Sequence, residues 1–200
     1  MRCEEPPRVD IPSRQVTIIS TVDSHGLGFI QGSRMNDEMV EMKVKGIVLD
    51  PKANNPVVVL VDLAGERALP IWIGVFEAEA ISRGLEGVVT FRPMTHDLMK
   101  QILDTFQVSL DRVIISEIKG NTFYANLHLD VEGEKMVVDS RPSDAIALAV
   151  RVKAPIFITG SVVDSTKQLG VLTSNLLDEE DELKTLISNM KPEDFGKYKM

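Results

Sequence analysis

Asp139-Ser140-Arg141-Pro142-Ser143-Asp144-Ala145-Ile146-Ala147-Leu148-Ala149-Val150 is the stretch on which the fold turns. Proline is favoured in a first helical turn, serine is a good N-cap, and an aspartate there faces the positive end of the helix dipole. The spacing predicts a helix over Ser143–Val152. Its middle, Ala145–Val150, is apolar on every side, and a helix of that kind is buried. Its alanines permit close approach of a neighbouring sheet or helix. Arg141 and Asp144 therefore sit at the mouth of an anchored element, the rigid support that a functional site needs and that a core needs equally.

Outward from this helix, Met136–Val138 reads as the strand before it and Pro155–Ile158 as a short strand after it. Arg112–Ile118 and Thr122–Leu129 form a hairpin across Lys119-Gly120-Asn121. Further upstream, Thr95–Phe106 places Leu98, Ile102, Leu103 and Phe106 on one helical face, and Gly74–Leu85 does the same with Val75, Ala78, Ile81 and Leu85. Gly84 and Gly87 are expected to stop that earlier helix. Glu41–Leu49, Pro56–Leu63 and Arg67–Ile73 read as three strands with short links, an antiparallel meander.

The expected fold is α+β, with a mixed, largely antiparallel sheet, three core helices and a C-terminal amphipathic helix. Residues 1–38, with Pro6, Pro7, Pro12, Gly26, Gly28 and Gly32, read as an irregular extension holding one short strand at Val16–Ile19. Residues 39–165 read as the folded domain, and 166–200 as a tail. In the tail, Asp178–Glu182 precede Leu183, Leu186, Ile187 and Met190, a helical stripe over 178–190. The stripe packs on its own core or on another subunit; the expectation is a homo-oligomer joined through it.

Composition excludes several classes. With 22 basic and 30 acidic residues the net charge is −8, so the chain is no bulk-attraction nucleic-acid binder. Contact with a polyanion needs a local basic patch or a carboxylate-held cation. Aromatics are 5%, too few for an extended base-stacking platform. No run approaches the ~20 apolar residues of a membrane span. The acids and prolines of Met1–Asp10 do not resemble a signal peptide, so the cytoplasm is the default location. Cys3 is the single cysteine, which excludes an internal disulfide and a cysteine metal cluster. The chain has no P-loop, no G-x-G-x-x-G, no G-x-S-x-G and no H-E-x-x-H.

Arg92-Pro93-Met94-Thr95-His96-Asp97 echoes Arg141-Pro142-Ser143-Asp144. Each puts Arg-Pro, a hydroxyl and an Asp at a helix mouth. Unpaired N–H groups and a partial positive charge make such a mouth, with an arginine, a ready phosphate site. Capping alone explains Thr95, Ser143, Asp97 and Asp144, but capping does not need arginine, and here it occurs twice. Arg92, Thr95 and Ser143 are the phosphate-binding candidates. His96 beside Asp97 is suited to act as a base or a ligand. His128 lies between Leu127 and Leu129 on a strand and reads as a surface residue, as does His25 in the extension. Glu77, Asp97, Asp139 and Asp144 form the candidate metal set if the fold brings them together. Such an oxygen-rich set suits Mg²⁺ or Mn²⁺.

Three further segments extend the pattern: Pro70-Ile71-Trp72-Ile73-Gly74 followed by Glu77-Ala78 and Ala80-Ile81, Thr122-Phe123-Tyr124-Ala125, and Lys191-Pro192-Glu193-Asp194-Phe195. With the two Arg-Pro segments, they make residues of about 40–165, plus the Lys191–Phe195 close of the tail, resemble the bifunctional nuclease domain family. The resemblance implies an α+β fold in two helix-and-strand halves, which agrees with the echo. It also implies cleavage of RNA and DNA, as reported for plant members. The expected function is phosphodiester hydrolysis of RNA or DNA assisted by a divalent cation. Arg92 and Arg141 would clamp phosphate, Asp97 and Asp144 would hold the cation or orient water, and His96 would carry the proton. The alternative is a non-catalytic module that takes a phosphorylated small ligand or nucleotide at its two helix mouths.

Overall fold

The computed structural model describes residues 17–18, 39–50, 54–120 and 122–168. The expected tail helix 178–190 and most of the extension 1–38 lie outside them. Among the described residues, eight strands form one sheet: β1 (Thr17–Ile18), β2 (Met39–Leu49), β3 (Pro56–Asp62), β4 (Ala68–Trp72), β5 (Val108–Lys119), β6 (Thr122–Val131), β7 (Glu134–Ser140) and β8 (Ile156–Thr159). Four helices among the described residues accompany them: α1 (Val75–Leu85), α2 (Thr95–Thr105), α3 (Pro142–Val152) and α4 (Gly160–Gln168).

The expected meander is present. β2 pairs with β3 and β3 with β4, both antiparallel, and β3 and β4 are buried throughout. Such continuous apolar runs suit strands covered on both faces. The second meander is β5-β6-β7. β8 joins the two halves: it runs antiparallel to β2 and parallel to β5, giving the order β1-β7-β6-β5-β8-β2-β3-β4. A parallel neighbour requires a crossover connection, and α3 supplies it on the way from β7 to β8.

α3 is the hub. It packs against α1, α2, β5 and β6, and Ala145, Ile146, Ala147, Leu148 and Ala149 are all buried. They meet a core that includes Leu110, Val113 and Ile115 of β5 and Phe123, Ala125 and Leu127 of β6. Gly84 lies inside α1 rather than ending it. A Cβ there would sit 2.6 Å from Cγ2 of Val150 and 2.9 Å from Nη1 of Arg151. The missing side chain is what lets α1 and α3 touch. Gly87, at φ +64°, follows the end of the helix in the left-handed conformation that glycine favours.

α4 has no counterpart in the sequence reading. Gly160-Ser161-Val162-Val163 has weak helical propensity; burial of Val162 and Val163 overrides it. Among the described residues no helix is long and apolar enough to cross a membrane.

Candidate active site

The two Arg-Pro segments enter their helices in different registers. In the second, Arg141 is the N-cap and Pro142 the first helical residue. In the first, Pro93 precedes the N-cap, which is Met94, and Thr95 is the first helical residue. Neither Thr95 nor Ser143 is therefore the cap that its type suggests. The register places Asp97 and Asp144 alike, third in their helices, with His96 and Ser143 second. It also leaves Arg92 in the loop before α2, exposed, while Arg141 stands at the helix mouth itself.

Where α2 meets α3, a line of polar and charged groups crosses the gap. His96 Nε2 lies 3.2 Å from Asp144 Oδ1. Arg141 donates from Nε to Asp144 Oδ2 at 2.6 Å and from Nη1 to Glu77 Oε1 at 3.0 Å. His96 is buried and Asp144 half-buried, and Arg141 reaches solvent. The donors from His96 and Arg141 hold the Asp144 carboxyl at a pKa of about 2, against the cost of its burial. Asp144 is thus ionised at neutral pH and acceptor-only, so His96 Nε2 carries the proton. In the neutral ring, Nδ1 is then the basic nitrogen.

Glu77 is held by a glycine. Its carboxylate turns back over Gly74, the N-cap of α1, where a Cβ would come 2.2 Å from Glu77 Oε2. Three helix N-termini therefore contribute to one place: Glu77 from α1, His96 from α2, and Arg141 with Asp144 from α3. They line a cleft of about 320 Å³ together with Phe76, Met94 and Thr95. That volume is near the lower end of the range for small-ligand sites.

Asp97 has another task. Its Oδ1 accepts from Arg151 Nε at 2.6 Å and its Oδ2 from the Met94 N–H at 3.1 Å. The Arg151 guanidinium lowers its pKa. Arg151, with a side chain only 7% exposed, also donates from Nη1 to the carbonyls of Ala80 and Ala147, both at 2.8 Å. One arginine thus ties α1, α2 and α3 together and fixes the turn that carries His96. The sequence reading missed Arg151. Its signal was present: an arginine in the last turn of an apolar helix, seven residues and about two turns beyond Asp144, hence on the same face.

The expected metal set does not assemble. Among the described residues no group of three or more His, Cys, Asp or Glu side chains is placed to hold a metal ion. Asp139 is exposed on β7 and does not line the cleft; Asp97 has both oxygens engaged. Glu77 and Asp144 do approach one another, but the Arg141 guanidinium bridges them. A cation already occupies the place between the carboxylates, so the donor set does not fit a bound divalent metal. Of the phosphate candidates, Thr95 lines the cleft, Arg92 does not, and Ser143 is buried with no hydrogen-bond partner among the described residues.

A family model for the bifunctional nuclease domain matches residues 58–169, which span β3 through α4 and every residue of this site. The chain belongs to the bifunctional nuclease domain family. Its relatives include uncharacterized proteins of two strains of Mycobacterium tuberculosis, each 36% identical over 167 residues, covering 78% of this chain and 98% of theirs. Bifunctional nuclease 2 of rice (Oryza sativa subsp. japonica) is 28% identical over 134 residues, covering 65% of this chain and 41% of the rice protein. In this bifunctional nuclease domain, the two Arg-Pro segments lie within the matched residues and meet across the cleft.

Proposed function

We propose that this chain hydrolyses phosphodiester bonds of RNA or DNA at the cleft where α1, α2 and α3 converge. The observation that carries the proposal is the line His96–Asp144–Arg141–Glu77: a protonatable base, an ionised carboxylate that orients it, and a guanidinium open to solvent.

The geometry supports the following roles. The N–H groups of Arg141 not spent on Asp144 and Glu77 bind the non-bridging oxygens of the phosphate. The N-terminus of α3 adds its partial positive charge beside them. His96 takes a proton from the attacking water at Nδ1, and the new bond forms between that oxygen and phosphorus. The phosphorus–oxygen bond to one sugar breaks, and that oxygen leaves with a proton returned by the imidazolium. Asp144, hydrogen-bonded to Nε2, stabilises the imidazolium between the two transfers. Glu77 holds the guanidinium in place. These steps use side chains of the chain itself, in keeping with a donor set that Arg141 has already filled.

The test is cleavage of labelled single- and double-stranded RNA and DNA by wild type and His96→Ala, each with Mg²⁺, with Mn²⁺ and with EDTA. The expected outcome is cleavage by wild type that survives EDTA and falls about 10²–10⁴-fold in the variant. Cleavage abolished by EDTA would restore the expected cation. Equal cleavage by both proteins would remove His96 from the reaction. Nucleotide binding without turnover would favour the non-catalytic module.

A further inference from the structure

Phe76 stands in the first turn of α1, 82% exposed, and lines the cleft beside Glu77, Met94 and Arg141. It precedes Glu77, the residue that holds the guanidinium. Phenylalanine has only middling helix propensity, and this one has little packing, so neither explains its presence. The loop that leads from α1 to Met94 continues the pattern, with Val89 95% and Phe91 fully exposed, immediately before Arg92. Exposed apolar groups that border a polar site mark binding surface.

We propose that Phe76 stacks on an unpaired base of the strand whose phosphate lies at Arg141, and so selects single-stranded nucleic acid. The proposal rests on the nucleic-acid reading of the cleft, though not on cleavage. An overall scarcity of aromatics argues against an extended platform, but one stacked base needs one ring. Every base has a π-face to offer, whatever its identity. In a duplex those faces are buried against neighbouring pairs, so a ring at the rim of the cleft can meet one only where a strand is unpaired. The ring, the guanidinium and the imidazole line one cleft, as a base and its own phosphate would require.

The experiment measures binding by fluorescence anisotropy, with wild type, Phe76→Ala and Phe76→Trp. The probes are a short phosphorothioate single strand, the same strand with abasic sites, and its duplex. The expected result is single-strand binding weakened about 5- to 150-fold by Phe76→Ala and retained by Phe76→Trp. The abasic strand and the duplex should not distinguish the three proteins. Equal single-strand affinity for wild type and Phe76→Ala would overturn the proposal, as would absence of binding by wild type. So would sedimentation showing that Phe76→Ala separates an oligomer, since the ring would then be covered by a second copy. Single-strand binding that depends on Phe76, with no cleavage of ordinary phosphodiester DNA or RNA, would support stacking and refute hydrolysis.

Discussion

Asp97 and Asp144 hold the same position in the first turns of α2 and α3, and each meets an arginine at 2.6 Å. The surroundings differ. Arg151 is buried and spends its remaining contacts on the carbonyls of Ala80 and Ala147, so its pair with Asp97 is a joint between helices. Arg141 is open to solvent, and its aspartate turns its other oxygen to His96. One copy of a helix-mouth pattern holds the scaffold; the other presents charge to a cleft. What separates them is the offset of Arg-Pro from the first helical residue, which leaves Arg92 outside and puts Arg141 at the cap.

The comparison is sharpest in the aspartates themselves. Asp144→Asn should reduce cleavage about 10²-fold or more while the protein remains folded, because it removes the group that orients His96 and stabilises its cation. Arg151→Ala should instead unfold early. It leaves Asp97 and two carbonyls without their buried donor, a loss of about 3 kcal/mol that thermal or urea denaturation would read. If Arg151→Ala melted like wild type, the joint would not be one.

Acid tests the Asp144 side of the comparison more gently. The Asp144 carboxyl has a pKa of about 2 when folded, against about 3.9 unfolded. Its contribution is complete above pH ~4 and lost as pH falls towards 2, about 2 kcal/mol at most. A stability-against-pH series should show this loss in wild type and lack this part of it in Asp144→Asn. Parallel curves would mean that the His96 and Arg141 contacts do not hold in solution. Gly84→Ala brings a methyl against Val150 and Arg151; it should cost about 1–2 kcal/mol, as a modest overpacking does. The smallest effect is expected of Arg92→Ala, within about 0.5 kcal/mol in stability, as for other exposed positions, and with cleavage near wild type. A large loss of cleavage there would revive the paired phosphate clamp.

The strands and α1–α3 were legible because each carries a periodicity of its own: the valine run 57–61, the Leu98-Ile102-Phe106 stripe, the alanine-rich 145–149. The position of β8 between β2 and β5 was not, since four apolar residues do not specify their partners. At the site, His96, Arg141 and Asp144 could be named from their place at helix mouths, and Glu77 from its place in the first turn of α1. The different roles of Asp97 and Asp144 could not, because beside the Arg-Pro offset they depend on Arg151 crossing three helices and on Gly84 leaving room for it. Nothing in the sequence pattern singles out Phe76; its exposure at the rim of the cleft is a tertiary fact.

The measurement that bears most directly on the difference between the two helix mouths is cleavage of one labelled single strand by wild type, Asp144→Asn and Asp97→Asn, purified identically, with each melting temperature recorded. Loss of cleavage in Asp144→Asn is expected while the protein stays folded at the assay temperature, its melting temperature lowered by no more than the loss of about 2 kcal/mol allows; Asp97→Asn should show a lowered melting temperature and surviving activity. Cleavage by Asp144→Asn equal to wild type, or loss of activity confined to Asp97→Asn, would contradict the assignment of chemistry to the mouth of α3.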